Sequence, residues 1–128
     1  DERDIYVEVV GQPAAYAGNL PVWLSPVQVT ILPITDRNME YAREINERLI
    51  ENGIRVELDE RNEGIGKKIR DAELKKIPYI VVLGDEEQKN KNISFRIHKK
   101  GDQGSRSLDE FIEGLNRLIK GKALHYEI

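Results

Sequence analysis

Lys76-Ile77-Pro78-Tyr79-Ile80-Val81-Val82-Leu83-Gly84-Asp85 is the stretch of this 128-residue chain whose reading decides the fold. Five consecutive apolar residues, too few for a core helix, lie between a Pro and a Gly-Asp pair. A strand needs apolar side chains at every position only when both of its faces are covered, so the run predicts a central parallel strand. Pro78 biases the residue before it out of the helical region and so closes whatever helix precedes. One does precede: Ile65, Ile69 and Ala72 form a stripe over 64–76. Before that helix, Ile54, Val56 and Leu58 alternate with Arg55 and Glu57 as a second strand.

Further back, Met39, Ala42, Ile45, Leu49 and Ile50 predict a helix over 37–52, with Thr35 or Asp36 to cap it and Gly53 to end it. Val27 to Pro33 reads as a buried strand. Trp23, set between Pro21 and Pro26, reads as a packing anchor at the core edge. Ahead of it, Ile5, Val7 and Val9 alternate like a half-buried strand, and Gly11 to Pro21 reads as a connector. On the far side of the central run, Ile93 to His98 alternates strictly, which predicts one polar face. Lys99 to Asp102 reads as a turn, and Gln103 to Arg106 as a short returning strand. Ser107 and Glu110 form a capping box. Leu108, Phe111, Ile112, Leu115, Leu118 and Ile119 stripe a third helix that Gly121 can stop.

Strands alternating with helices imply right-handed parallel crossovers. The expectation is an α/β fold: a mixed five-stranded sheet, parallel core plus antiparallel hairpin, with three helices. The boundaries expected are a strand or linker over 1–20, the domain over 21–122 and a tail over 123–128.

The chain has no Cys, which excludes disulfides, thiolate metal sites and Cys nucleophiles and fits a cytoplasmic protein. No apolar run is long enough to span a bilayer, and the charged start has no signal-peptide core. The first residue is not Met, which suits an excised fragment. The net charge of −3 conceals a pattern. Residues 1–60 carry 5 Lys/Arg against 12 Asp/Glu, whereas residues 61–106 carry 12 against 7, a basic middle able to form an anion-binding face.

Catalytic constellations fail on spacing. Gly64-Ile65-Gly66-Lys67-Lys68 invites a phosphate loop, but Arg61 stands where its first Gly belongs and no Ser or Thr follows the Lys. A dinucleotide fingerprint would need Gly at position 69, which is Ile69. His98 and His125 are read as surface residues, and no Ser has a nucleophile-elbow setting. What remains is a polar set after the parallel strands, Arg61-Asn62-Glu63 and Gly84-Asp85-Glu86-Glu87, with Arg96 on the next strand. Ligands of open α/β sheets gather at that carboxyl edge.

Several segments resemble the anticodon-binding domain of threonyl-tRNA synthetases, in the class II aminoacyl-tRNA synthetase family. They are Pro21-Val22-Trp23-Leu24-Ser25-Pro26-Val27-Gln28-Val29, Asp59-Glu60-Arg61-Asn62-Glu63, Lys68-Ile69-Arg70-Asp71-Ala72, Lys76-Ile77-Pro78-Tyr79, Gly101-Asp102-Gln103-Gly104 and Ser107-Leu108-Asp109-Glu110-Phe111. Together they cover about residues 20–120 in order. The resemblance implies a mixed sheet of five strands with three helices. It also implies a parent threonine–tRNA ligase whose ATP and zinc sites lie in another domain, so that this fragment has no cofactor and no catalytic residue of its own. The implied partners are tRNA with a threonine-type anticodon loop and a parent catalytic or editing domain, in a homodimeric parent, with no DNA and no membrane. Carried over by position, the residues reading the second and third anticodon bases, G and U, are Asn62, Glu87 (or its neighbour Glu86) and Arg96. Arg61, Lys67, Arg70, Lys76 and Lys99 are the candidate phosphate contacts. Residues 1–19, Gly64 and the lysine-bearing turn 86–92 depart from the family pattern. The competing reading is a protein-interaction module using the acidic row Glu40, Glu44, Glu47 and Glu51. A small nucleotide-binding enzyme ranks below both.

Overall fold

The computed structural model describes residues 20–128, so the strand expected over 5–9 and the connector expected over 11–21, up to residue 19, lie outside the described residues. A 3-10 turn, Val22–Leu24, leads into β1 (Val29–Pro33), and a second, Asp36–Asn38, leads into α1 (Met39–Glu51). Then follow β2 (Val56–Leu58), α2 (Ile65–Leu74), β3 (Tyr79–Leu83), α3 (Asp85–Asn90), β4 (Ile93–Ile97), β5 (Gly101–Arg106) and α4 (Leu108–Lys120). The sheet order is β2-β1-β3-β4-β5. β1 pairs in parallel with β2 and β3, while β3–β4 and β4–β5 are antiparallel. The mixed five-stranded sheet is as expected. α3, placed where the sequence reads as a turn, is a fourth and short helix.

Burial follows from the apolar pattern. Tyr79, Val81 and Leu83 of β3 join Val29 and Ile31 of β1 and Phe95 of β4 on one face of the sheet. That face is covered by Tyr41, Ala42, Ile45 and Leu49 of α1 and by Leu108, Phe111, Ile112, Leu115 and Leu118 of α4. Phe111 stands edge-on to Tyr79 at 5.8 Å and leans on Phe95 at 5.1 Å. Ile50, expected on the buried stripe, is instead exposed, because it sits one residue (100° of helix) past Leu49. Leu32 and Ile80 look the other way, onto Ala72 and Ile77, with Ile65 and Ile69 of α2 packed beside them. β1 and β3 are thus sandwiched as the apolar run requires. The other face of β4, which carries Ser94 and Arg96, has no helix of its own.

Two buried anchors hold the start of the domain. Gln28 donates to the Val22 carbonyl at 3.0 Å and accepts from the Arg55 amide at 2.9 Å. The Arg55 guanidinium donates to the Trp23 and Ser25 carbonyls. Trp23 is buried, as an anchor should be. Near the other end, the Tyr79 hydroxyl donates to the Tyr126 carbonyl, and the Tyr126 hydroxyl donates to the carbonyl of Leu20. Burial pushes the Tyr126 phenol up to about 12.

Each of these four helices closes with an amide just past its C-terminus donating back five residues. The donors are Ile54 to Leu49, Ile77 to Ala72, Asn92 to Glu87 and Ala123 to Leu118. The left-handed residue that permits this is Gly53 at the first closure but Lys76, Lys91 and Lys122 at the others. α4 stops at Lys120 with Gly121 as its cap, as expected, but Gly121 is right-handed at φ −80 and the left-handed turn falls one residue later, at Lys122. The β4–β5 turn also comes early. Lys100 N–H donates to Ile97 O at 2.9 Å with Lys99 left-handed, so the return strand begins at Gly101. Between Ser94 and Arg96, β5 carries one residue more than β4. Gly104, at φ 83, absorbs it as a bulge.

Candidate nucleic-acid interface

The uncovered part of the sheet holds a cleft of about 250 Å³, lined by Ile69, Val82, Glu87, Ser94, Arg96 and Asp102 among others. Its parts arrive by pattern. The strict alternation of β4 turns Ser94 and Arg96 onto the face away from α1 and α4. Ile69 supplies the α2 wall. Glu87 comes from the first turn of α3, directly after the carboxyl end of β3.

Glu87 is held from two sides. Its Oε1 accepts the Gly84 N–H at 2.7 Å and its Oε2 accepts the Ser94 hydroxyl at 3.2 Å, with Ser105 Oγ 3.4 Å beyond. Gly84 must stay small here: a Cβ on it would lie 2.7 Å from Ile34 Cδ1 and 3.3 Å from Glu87 Oε1. An ionised carboxylate offers about four lone-pair directions, so two remain for a ligand. Glu86, the alternative, is exposed and does not line the cleft.

Arg96 pairs with Ile80, near the amino end of β3, not with the strand's carboxyl end. It therefore sits lower on the face than the edge on which the sequence reading centres. Ser94, two residues above it, is about 7 Å nearer that edge. The side chain still reaches the cleft. Its Nε is buried without a hydrogen-bond partner, and the guanidinium forms no ion pair among the described residues.

Asn62 lies in the exposed loop after β2, at the same carboxyl edge as Glu87 but outside the cleft. Its side chain makes no hydrogen bond among the described residues. The structure thus brings Glu87 and Arg96 together and leaves Asn62 apart from them.

The basic candidates divide. Arg70 is exposed on α2, one residue (100° of helix) past Ile69 of the cleft wall, and does not itself line the cleft. Lys76 and Lys99 stand at the amino end of β3 and the carboxyl end of β4, the opposite edge from Glu87. Lys67 points away, 3.6 Å from Glu63. Arg61 is spent internally. Three of its N–H groups go to Asp59 and Asp71, with Nε–Oδ1 at 3.0 Å, Nη2–Oδ2 at 2.8 Å and Nη1 to Asp71 Oδ2 at 2.9 Å. The hydrogen bonds from Arg61 hold the Asp59 carboxyl below the usual carboxylate range, and those to Asp59 and Asp71 push the guanidinium up.

One residue corrects the sequence reading and a second was not anticipated by it. His98 is buried, not on the surface, because it continues the β4 alternation beneath α2. Its Nδ1 lies 2.6 Å from Glu73 Oε2, outside hydrogen-bonding angles, so the contact is an ion pair only when the imidazole is protonated. Lys68 is also buried. Its Nζ donates to the Pro33 and Asp59 carbonyls at 3.3 and 3.4 Å, across the ends of β1 and β2. The signal was there: a Lys at i+3 from Ile65 and i−4 from Ala72 falls on the buried stripe. Ser94 was legible in the same way, as it shares the period-two face of Arg96.

Lys68 fills the position where a phosphate loop has its Ser or Thr and is tied to the Pro33 and Asp59 carbonyls, so Gly64–Lys68 does not fit a nucleotide triphosphate. Among the described residues no three His, Cys, Asp or Glu side chains gather as metal ligands, and no helix is long and apolar enough to cross a membrane.

The model of the anticodon binding domain family matches residues 28–118. The chain belongs to the anticodon-binding domain family. This anticodon-binding domain is 55% identical over 109 residues to the threonine–tRNA ligase of Caldanaerobacter subterraneus subsp. tengcongensis, covering 85% of the chain and 17% of that protein. It is 54% identical over 109 residues to the ligase of Sulfurihydrogenibium sp., covering 84% and 17%. Against the ligase of Aquifex aeolicus it is 54% identical over 107 residues, again covering 84% and 17%. The chain therefore spans about 17% of the length of these relatives, all of the threonyl branch. The crystal structure of the RNA binding domain of threonyl-tRNA synthetase from Cryptosporidium parvum Iowa II superposes with a TM-score of 0.76. It is 29% identical, over 85% of this chain and 26% of that one.

Proposed function

We propose that this domain reads the second and third anticodon bases, G and U, of a threonine tRNA, as the non-catalytic part of a cytoplasmic, homodimeric threonine–tRNA ligase that supplies ATP and zinc chemistry from another domain. The observation that carries the reading is the part-buried guanidinium of Arg96, without a partner among the described residues, in one cleft with a carboxylate that keeps two acceptor directions. An unpaired charged donor in a sheet face is costly unless a ligand completes it.

Loop bases of RNA are splayed out and read on their Watson–Crick edges. Guanine presents N1–H and N2–H donors there, which suit the acceptor-only Glu87. Arg96 supplies a planar fork to base oxygens or phosphate. Asn62 carries both a donor and an acceptor, which suits uracil. Arg70, Lys76 and Lys99 are exposed cations that can follow the backbone.

The test is titration of the chain with an anticodon stem-loop. Arg96→Ala weakens binding far more than Lys120→Ala, and binding falls with salt. Equal binding to a loop altered at the second and third anticodon bases refutes direct base reading. Retention of a protein partner after Asn62 and Arg96 are both replaced would favour the accessory-module reading, whose acidic row Glu40, Glu44, Glu47 and Glu51 is exposed.

A further inference from the structure

We propose that Arg61 is a positioning residue that presents Asn62 to the third anticodon base, and not one of the phosphate contacts. The inference rests on the base-reading role given to Asn62 above. Among the described residues the Asn62 side chain has no hydrogen bond that fixes it, so what orients it there acts through its neighbours. Asp59 is the anchor. Its backbone N–H donates to Ile31 O of β1 at 3.0 Å, its carbonyl receives Lys68 Nζ, and its side chain is only 9% exposed.

Arg61 closes on this anchor with both its backbone N–H (3.1 Å) and its fork, and it reaches across to Asp71 on α2. The residue immediately before Asn62 is thereby tied at main chain and side chain to the sheet edge and to the helix. A guanidinium paired with two carboxylates carries little net positive charge toward an RNA backbone. A planar fork meeting a carboxylate in two places is also a geometry that an ammonium cannot copy.

The experiment is titration of the 128-residue chain and its Arg61→Lys, Arg61→Ala and Asp71→Asn variants with stem-loops. One loop is matched, one is changed at the second anticodon base and one at the third, each across a salt series with thermal unfolding alongside. The expected result is that Arg61→Lys loses third-base discrimination as fully as Arg61→Ala, on the order of tenfold. Second-base discrimination and the slope of log affinity against log salt stay as in the parent. Asp71→Asn, which leaves the RNA side untouched, gives the same pattern in weaker form.

A slope that falls by about 0.7 in Arg61→Ala and returns in Arg61→Lys, with both base ratios unchanged, assigns a phosphate contact and overturns the proposal. Loss of both base ratios together with the melting temperature assigns a purely structural residue and overturns it too. If the parent chain shows no third-base preference, the reading of Asn62 falls and takes this one with it. If the parent discriminates and Arg61→Lys does as well, only this inference falls.

Discussion

Replacing Glu87 by Gln exchanges one carboxylate oxygen for an NH2 group and leaves the shape alone. The Gly84 N–H, now 2.7 Å from a carboxylate oxygen, would donate to a neutral amide oxygen. Charged hydrogen bonds are worth about 1.5–3 kcal/mol against about 1 for neutral ones, so roughly 1 kcal/mol is lost. Ser94 can reverse its role and accept from the new amide at little cost. Removing a negative charge from the first turn of α3 costs about another 0.3–1 kcal/mol. The total, about 1–2 kcal/mol, lowers the melting temperature by roughly 5 °C and leaves the domain folded. The effect on RNA is larger and of a different kind. A donor now faces the guanine N1–H, and leaving such groups unmatched costs about 1–3 kcal/mol, or roughly 5- to 150-fold in affinity. Adenine at that position offers an acceptor instead and binds the variant better than the parent. Fluorescence titration of stem-loops bearing G or A at the second anticodon base measures the ratio directly. The reasoning fails if the ratio exceeds tenfold in the parent and survives in Glu87→Gln, or if Glu86→Gln collapses it instead.

The left-handed lysines give a stability series. Lys76→Gly relieves about 1–2 kcal/mol of strain against about 0.5–1 of added chain entropy, and so melts higher. Lys122→Gly also loses the ammonium 5.1 Å from the Trp23 ring, worth about 0.5–1 kcal/mol, and shows no gain by calorimetry. Asp59, whose carboxyl is held low by Arg61, contributes stability that is present above its ordinary value of 3.8 and lost as pH falls through the depressed one. Denaturant unfolding of Asp59→Asn across that acid range therefore declines less steeply than the parent.

Much of the fold was legible because its signals are local. The run Tyr79–Leu83 states by itself that both faces are covered, and the stripes from Leu108 to Leu118 and from Tyr41 to Leu49 each name one buried side. The misses come from places where local signals compete. Asp85–Asn90 is polar throughout and helical only because three acidic residues favour its first turn and Glu87 reaches back to the Gly84 amide. Lysine is ordinarily a solvent-exposed residue, yet Lys68 is buried and three others turn helix ends that normally ask for Gly. At the candidate site, the alternation of β4 predicts that Arg96 faces away from the core. The register that lowers it to Ile80, and the ion cluster that absorbs Arg61, depend on residues far apart in sequence that no periodicity connects.

The Tyr126 hydroxyl on Leu20, together with the Tyr79 hydroxyl on Tyr126, has a mechanical consequence. Tyr79 begins β3 and Gly84 follows its end, so Leu20 is fastened at one pole of the sheet while Glu87 and Asn62 occupy the other. The five residues of β3 separate the poles by about 17 Å. Whatever is joined through Leu20 holds the domain by its base, as a handle holds a probe.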